Sequence, residues 1–262
     1  MRVARLSGKV AFITGAGAGI ARVAAEIFAR EGAKVALAEI KPEAGRETER
    51  IVCATGGEAK FVETDVTREE SVRAAIADAI RFFGKIDVIF NCAGGSLPED
   101  SLVTDVDLSV WDRTISVNLL GTILCCRHGI PRLIDSGGGA VVNMSSGAAL
   151  RGASPAHIYT AAKGAILSLT RALAGAYAKH GVRANAICAG RIMTERIVST
   201  YGTPDVAGPV VDRQDPAGRA TQYPLWVGQP VDIANIALFL ASDESRMITG
   251  ASIAADGGRS AY

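Results

Sequence analysis

A tyrosine and a lysine in the second half of the chain have a spacing suited to proton transfer. Tyr159 and Lys163 are four residues apart, which places both side chains on one face of a helix. A phenol has a pKa of about 10 and is a poor base at neutral pH, but a nearby ammonium group stabilises the phenolate. Such a pair can take a proton from an alcohol. Two solvated helix residues have the same spacing, so the surrounding segments must decide between the two interpretations.

A glycine-rich segment near the N-terminus predicts a site for a phosphorylated ligand. Residues 14–21, Thr-Gly-Ala-Gly-Ala-Gly-Ile-Ala, lie between an apolar run and residues with helical periodicity. Gly15 and Gly17 let the backbone turn sharply and approach a ligand, and a helix that starts at Gly19 offers free N–H groups to an anion. These are the properties of a pyrophosphate site. The alternative is a tight turn without a ligand.

Glu39 points to the identity of that ligand. It ends the next apolar run, 24 residues after Gly15, where a carboxylate can accept hydrogen bonds from both hydroxyls of an adenosine ribose. The same charge would repel a 2′-phosphate, and the glycine turn contains no Lys or Arg, although Lys41 follows closely. We therefore expect NAD rather than NADP. A solvated strand-end carboxylate is the alternative interpretation of Glu39.

Apolar runs and segments of helical periodicity alternate along the chain. Because strands separated by helices pair in parallel, we expect one α/β domain over residues 1–262. Its core would be a doubly wound, Rossmann-type parallel sheet of about seven strands with helices on both faces. Residues 195–227 contain four prolines and are predicted to form an irregular substrate loop. The predicted strands are Val10–Thr14, Ala33–Ala38, Lys60–Glu63, Asp87–Asn91, Ala140–Met144, Arg183–Cys188 and Ala251–Ala254.

Helices are predicted between these strands. A capping box at residues 67–70 would open one of them, and a long helix over 109–134 would bend before Pro131. The others are expected from residue 20 to Gly32 and over 42–54, 156–179 and 232–240. The Tyr159–Lys163 pair would then lie near the start of its helix.

Composition excludes several classes of function. The formal net charge is +1, from 28 basic and 27 acidic side chains, which gives no electrostatic reason to expect nucleic acid or an anionic membrane as a partner. No run approaches the roughly 18 apolar residues of a membrane span. The five cysteines form no C-x-x-C pair, so no metal site is predicted, and a reducing cytoplasm is the expected location.

These motifs resemble those of the short-chain dehydrogenases/reductases over essentially the whole chain. The glycine turn is similar to the family's T-G-x-x-x-G-x-G, with Ala21 in place of the last glycine. Asp65-Val66 and Asn91-Cys-Ala-Gly94 are similar to the family's adenine-contacting pair and its N-N-A-G. Ala189-Gly190 stands where the family usually has Pro-Gly. The resemblance implies that NAD would be bound by Gly15, Gly17, Gly19, Ile20, Glu39, Asp65, Val66, Asn91, Ala93, Gly94, Tyr159, Lys163, Gly190, Ile192 and Thr194.

The resemblance also implies a catalytic set of Asn118, Ser146, Tyr159 and Lys163. Ser146 lies 13 residues before Tyr159, the separation of the family's substrate-binding serine, and Ser145 is the competing candidate. Lys163 would lower the pKa of Tyr159 and bind the nicotinamide ribose, while Asn118 would hold a water in a proton relay. The implied reaction is reversible hydride transfer between NAD(H) and a small secondary alcohol or ketone.

Other functions remain as alternatives. An NADPH-dependent reductase of a keto compound, such as a 3-oxoacyl thioester, is the nearest rival, and a nucleotide-binding scaffold without catalysis is another. A serine hydrolase is disfavoured because no Gly-x-Ser-x-Gly elbow is present.

Two further expectations concern the substrate and the assembly. Arg151 or Arg191 would receive an anionic group of the substrate, unless both are surface arginines at loop ends. The family resemblance implies a homotetramer, or a homodimer, and its apolar faces would come from residues that otherwise belong to the monomer core: Leu119, Leu120, Ile123, Ile166 and Leu169.

Overall fold

A parallel sheet forms the centre of the protein, which is described by a computed structural model over residues 4–152, 154–201 and 227–261. Seven strands build it in the order β3-β2-β1-β4-β5-β6-β9, and two short strands, β7 and β8, pair separately. The strands are β1 (Val10–Thr14), β2 (Lys34–Glu39), β3 (Glu58–Glu63), β4 (Val88–Asn91), β5 (Gly139–Ser146), β6 (Val182–Ala189), β7 (Arg191–Ile192), β8 (Val227–Gly228) and β9 (Ser252–Ala255).

Helices cover both faces of this sheet. Their apolar sides pack on alternate residues of the strands, because successive side chains of a strand point to opposite faces. Ile13 of β1 faces a core layer with Phe28 and Leu238, whereas its neighbour Phe12 faces a layer with Ile130. The helices are α1 (Gly19–Arg30), α2 (Pro42–Ala54), α3 (Glu69–Phe83), α4 (Ser109–Ile115), α5 (Gly121–Asp135), α6 (His157–Tyr177), α7 (Glu195–Tyr201) and α8 (Pro230–Ala241).

The predicted fold class, a doubly wound parallel sheet of about seven strands, is confirmed. Strand bounds differ from the predicted ones by one or two residues at most ends. The differences matter at β5 and β6, which continue to Ser146 and Ala189 and pair there in register. These polar or small residues carry no apolar signal, so the sequence pattern ended both strands too early.

The helix predicted over 109–134 is interrupted, and the predicted bend before Pro131 is not where the interruption lies. A π-helical turn, Ser116–Leu120, separates α4 from α5, and Pro131 lies inside α5. A π-helical turn admits one extra residue per turn and often marks a functional site. Asn118 lies in the middle of this turn.

The predicted capping box at residues 67–70 is wrong. Helix α3 starts at Glu69 after Arg68, which makes no side-chain cap. The Thr67 hydroxyl instead donates to the carboxylate of Asp65 at 2.7 Å. An Asx-type bond two residues away competes with the cap and prevails here.

The segment predicted as an irregular substrate loop lies mostly outside the described residues. Its first part, Glu195–Tyr201, is helix α7, and its last residue begins β8. Residues 202–226 are not described. In the described ranges, no helix has the length and apolar character needed to cross a membrane.

Thr14 links the ends of β1 and β4, the two neighbouring strands from which the chain continues to opposite edges of the sheet. It ends β1, is 1% exposed, and its hydroxyl oxygen accepts hydrogen bonds from Cys92 N at 3.0 Å and Ala93 N at 3.1 Å, just beyond β4. The turns that follow β1 and β4 are therefore held side by side.

We expect Thr14→Val to lower the free energy of unfolding by about 2 kcal/mol, because two backbone N–H groups lose their acceptor while the side-chain shape is kept. Denaturant unfolding measures this change. Thr14→Ser keeps the hydroxyl and is the matched control. Equal stability of the Val and Ser variants would contradict the role of the hydroxyl.

Candidate active site

The glycines of the turn between β1 and α1 have no room for side chains. A methyl group on Gly15 would lie 2.9 Å from the Cα of Ala93, and one on Gly17 would lie 2.8 Å from the Glu39 carboxylate. Gly15 and Gly19 also have positive φ values of 69° and 55°. The sequence motif thus forms a bare backbone cradle at the start of α1, as predicted for a phosphate site. Ala21 departs from the family pattern but is buried in the core with helical backbone.

Glu39 lies beside this cradle at the end of β2. Its carboxylate accepts hydrogen bonds from Gly17 N at 2.9 Å and Lys41 N at 3.0 Å, and the residue is 9% exposed. Two backbone amides therefore hold the carboxylate in place, while its remaining lone pairs are available to a ligand. The structure excludes the alternative of a freely solvated strand-end carboxylate.

A carboxylate already lies at the N-terminus of α1. Glu195 Oε2 accepts a hydrogen bond from Gly19 N at 3.1 Å, and Glu195 Oε1 lies 3.8 Å from Arg22. Arg22 also donates to the carbonyl of Gly17 and to the Thr48 hydroxyl. The start of α1 therefore accommodates an anionic group, here the carboxylate of Glu195. Sequence reasoning missed both residues, because neither lies in the glycine motif.

Two of the predicted cofactor contacts turn away from the cradle. The Asp65 carboxylate accepts bonds from the backbone and hydroxyl of Thr67, in its own turn after β3. The Asn91 amide lies between the sheet and α5, where it donates to Asn143 Oδ1 at 2.8 Å and to the sulfur of Cys126. Val66 packs closely against Gly121 and leaves no room there for a methyl group. These side chains organise the carboxyl edge of the sheet.

The start of α6 is held by a carboxylate that the sequence did not reveal. Asp100, in the loop between β4 and α4, accepts hydrogen bonds from Ile158 N at 3.1 Å and Tyr159 N at 2.7 Å. It is 7% exposed and replaces the side-chain cap that Ala156 lacks. The backbone of Tyr159 is thus bound directly to a distant loop. No pattern linked Asp100 to α6, because the two are far apart in the chain.

Ser146 and Tyr159 come together as predicted. Burial raises the pKa of Tyr159, while a hydrogen bond with Ser146 and the charge of Arg196 lower it. The competing Ser145 faces the other way and donates to the carbonyl of Lys163 at 2.8 Å. The choice between the two serines is therefore decided by the alternation of side chains along β5.

Lys163 is buried against the cleft. Its ammonium donates to the carbonyl of Met144 at 2.9 Å and lies 5.6 Å from the centre of the Tyr159 ring. Burial lowers its pKa from 10.5 to about 8. The groups that lower the pKa of Tyr159 here are Ser146 and Arg196, whereas the sequence analysis expected Lys163 to do so. The reason is geometric, since the ammonium is directed at a carbonyl rather than at the phenol oxygen.

Cys92 occupies the position at which the similar N-N-A-G motif has its second asparagine. The residue lines the cleft, and burial raises the pKa of its thiol to about 12. The thiol is therefore protonated at neutral pH and acts as a small apolar wall beside Lys163.

Asn118 reaches the same cleft from the π-helical turn. Its amide donates to the carbonyls of Gly95 and Thr114, and its Oδ1 accepts from Gly95 N at 3.0 Å. A methyl group on Gly94 would contact Asn118 and would lie 3.3 Å from Lys163 Nζ. The structure therefore brings together all four residues of the predicted catalytic set.

The predicted residues after β6 close another side of the cleft. A methyl group on Gly190 would lie 2.6 Å from the Cα of Asp256, and Ile192 is 6% exposed in the core. The Thr194 side chain would lie 3.0 Å from a methyl on Gly19, so it contacts the start of α1. The pairing of β6 with β9 continues to Ala189, which stands where the family pattern has a proline.

These groups line one cleft of about 950 Å³ at the carboxyl edge of the sheet. It extends from Ile20, beside the cradle, past Tyr159 to Arg151 and Ser154. Arg151 and Arg191 both lie on its wall, and so does Arg196, which the sequence analysis did not consider. Within the described ranges, no group of three or more His, Cys, Asp or Glu side chains is placed to hold a metal ion.

Comparisons with known proteins agree with this arrangement. A family model described as "Enoyl-(Acyl carrier protein) reductase" matches residues 15–260. A protein of Bradyrhizobium diazoefficiens named as a short-chain type dehydrogenase/reductase is 38% identical over 260 residues, which cover 98% of this chain and 89% of that protein. A 2-(S)-hydroxypropyl-CoM dehydrogenase of Xanthobacter autotrophicus is 36% identical over 262 residues, 98% of both chains.

A solved structure is also similar. The crystal structure of a short-chain dehydrogenase/reductase from Burkholderia xenovorans superposes with a TM-score of 0.87 at 34% identity and covers 99% of both chains. The fold and these comparisons together define an oxidoreductase. The chain belongs to the short-chain dehydrogenase/reductase family, whose members use NAD(H) or NADP(H).

The Glu195 carboxylate generates a prediction about the cradle. We expect Glu195→Gln to bind NADH about two- to fivefold more tightly, because a negative charge no longer competes for the N-terminus of α1. Isothermal titration calorimetry measures this affinity. Glu99→Gln removes an exposed charge from the loop before α4 and is the control, and an equal gain in both variants would contradict the competition.

Proposed function

We propose that the protein transfers a hydride reversibly between NAD(H) and a small secondary alcohol or ketone. The observation that carries this proposal is the meeting of Tyr159, Ser146 and Lys163 in one cleft, with Asn118 directly behind Gly94 and Gly95 of its wall and a glycine cradle with Glu39 at its side. The Xanthobacter relative supports it, because its name describes a dehydrogenase of a 2-hydroxypropyl group, which is a secondary alcohol.

Each residue has a role in proton transfer or in positioning. Ser146 donates to or accepts from the substrate oxygen and holds it beside Tyr159. The Tyr159 phenolate accepts the hydroxyl proton in oxidation, and the phenol returns it in reduction. Lys163 and Asn118 bind the ribose side of the cleft and connect Tyr159 to solvent. The bound nicotinamide supplies the hydride chemistry, while the protein supplies position and electrostatic field.

Several residues would hold the dinucleotide. The bare backbone at Gly15 and Gly17 would let its phosphates approach, the Gly19 amide would donate to them in place of Glu195, Ile20 would pack beside it, and Glu39 would accept from its adenosine ribose. Asp65, Val66, Asn91 and Ala93 would shape the edge of the adenosine side, mainly through backbone, and Gly94 would lie beside Lys163 towards the nicotinamide ribose. Gly190, Ile192 and Thr194 border the nicotinamide side.

Glu39 supports NAD over NADP. Its carboxylate is fixed by two amides, so it cannot swing away from a 2′-phosphate without losing both bonds. The sequence favours NAD partly because the glycine turn contains no Lys or Arg. Arg22 lies beside that turn and weakens this argument, but its guanidinium is already bonded to Gly17 and Thr48. An NADPH-dependent reductase of a keto compound, such as a 3-oxoacyl thioester, is therefore the less supported candidate.

The assembly belongs to the same proposal. We place cofactor site and catalytic residues in one domain, residues 1–262, and expect a homotetramer or homodimer. Leu120 and Ile123 are each 38% exposed and give the π-turn and α5 an apolar outer face, and Leu119 and Leu169 are half-buried. Ile166 is fully buried, so it belongs to the monomer core rather than to an interface.

We expect Tyr159→Phe to lower kcat for alcohol oxidation by about 1,000-fold, because the proton acceptor is removed while the ring remains. A panel of secondary alcohols with NAD, followed by the absorbance of reduced nicotinamide, measures it. Tyr177→Phe, at the far end of α6, is the control. The affinity for NADH should be similar in both variants. Wild-type protein without turnover on the panel, or full turnover by Tyr159→Phe, would contradict the proposal.

Glu39→Gln tests the cofactor preference separately. We expect the ratio of kcat/KM with NAD to that with NADP to fall at least about tenfold, because the charge that repels a 2′-phosphate is lost. Glu63→Gln is a matched control, since Glu63 lies beside Glu39 at the end of β3. A ratio that does not respond to Glu39→Gln would contradict the role of this carboxylate.

A further inference from the structure

The wall of the cleft carries more cations than anions. The chain as a whole is nearly neutral, with a formal net charge of +1. The charged side chains among the described lining residues are nevertheless mostly basic, and two of them are carboxylates: Arg151, Lys163, Arg191, Arg196 and Arg259, with Asp100 and Asp256.

Neither carboxylate is directed at an arginine by its hydrogen bonds. Asp100 accepts from two amides at the start of α6. Asp256 accepts from Gly258 N at 3.0 Å and Ser260 N at 3.0 Å, in the turn after β9. These hydrogen bonds of both carboxylates go to backbone amides, and among the described residues neither carboxylate forms an ion pair with Arg151, Arg191 or Arg196.

Arg196 is a lining cation whose charge acts on Tyr159, and its own hydrogen-bond partner is neutral. Its Nη1 donates to the carbonyl of Ser96 at 3.2 Å, and its guanidinium lies over the backbone of Gly95. Among the described residues, the guanidinium of Arg196 has the Ser96 carbonyl as its hydrogen-bond partner and forms no ion pair. The preceding residue, Glu195, points the opposite way, to the start of α1.

The charge of Arg196 reaches the catalytic pair. Burial is the main cause of the altered pKa of Tyr159 and of Lys163, and Arg196 lowers the pKa of both. Lys163 and Arg196 are like charges in one partly enclosed site, which is unfavourable until an anion lies between or beside them. A substrate whose hydroxyl is held by Ser146 would bring its other end within reach of Arg196.

We propose that the substrate carries an oxyanionic group, a carboxylate or a sulfonate, and that Arg196 binds this group. The inference rests on the proposed function, since it names the class of substrate for the same site. A guanidinium matches such a group with two parallel hydrogen bonds. Arg151 and Arg191 line the same cleft and contribute charge. The cofactor phosphates have their own site at Gly19, so Arg196 is free for the substrate side.

Matched pairs of secondary alcohols test the proposal. One pair is 3-hydroxybutyrate and its methyl ester, and a second pair carries a sulfonate in place of the carboxylate. We expect wild-type kcat/KM to favour the charged member of at least one pair. In Arg196→Met the loss on that member should exceed the loss on the neutral one by about 10- to 100-fold, mainly through KM. Arg196→Lys should keep part of the preference.

Controls separate this inference from the proposed function. Arg246→Met removes an exposed arginine away from the cleft and should not change the preference. Rates are compared on the plateau of each pH profile, because Arg196 also affects Tyr159. Equal losses on charged and neutral members, no wild-type preference, or a loss explained by weaker NADH binding would overturn the inference. Wild-type turnover of no secondary alcohol would instead contradict the proposed function.

Discussion

The site depends on the change of direction of the sheet connections between β1 and β4. After β1 the chain moves outward through β2 and β3, and after β4 it moves the other way through β5, β6 and β9. The turns that follow β1 and β4 therefore diverge and leave a cleft. The buried Thr14 hydroxyl joins the base of the two turns, and the close approach of Gly15 to Ala93 leaves no space for a side chain.

Backbone amides hold three acidic groups around this cleft, of which Glu39 and Asp100 are buried and Glu195 is exposed. Glu39 is held by the turn after β1, Asp100 by the start of α6 and Glu195 by the start of α1. Lys163 donates to a carbonyl, and so does Arg196. Among the described lining residues, basic side chains outnumber carboxylates, which suits anionic ligands.

Local patterns predicted the elements and most of the site. Apolar runs located all seven strands of the main sheet, and the spacing of Tyr159, Lys163 and Ser146 identified residues that the fold brings together. The predictions failed where two local interactions compete. Thr67 bonds Asp65 rather than capping α3, and the chain forms a π-helical turn at Asn118 rather than a continuous helix. In each case the two competing conformations differ by one hydrogen bond. A pattern of residue types does not decide between conformations that are so similar.

The sequence by itself determined the fold class, the family and the motif residues, because periodicity and spacing act over a few turns of backbone. Only the tertiary structure decided which distant charges enter the cleft. Asp100 meets α6, Glu195 meets α1 and Arg196 meets Gly95 through contacts between segments separated by 58 to more than 100 residues. The same packing turned Asn91 into the core and Ser145 away from Tyr159. Those contacts follow from how helices and loops pack on the sheet, and no local pattern records that packing.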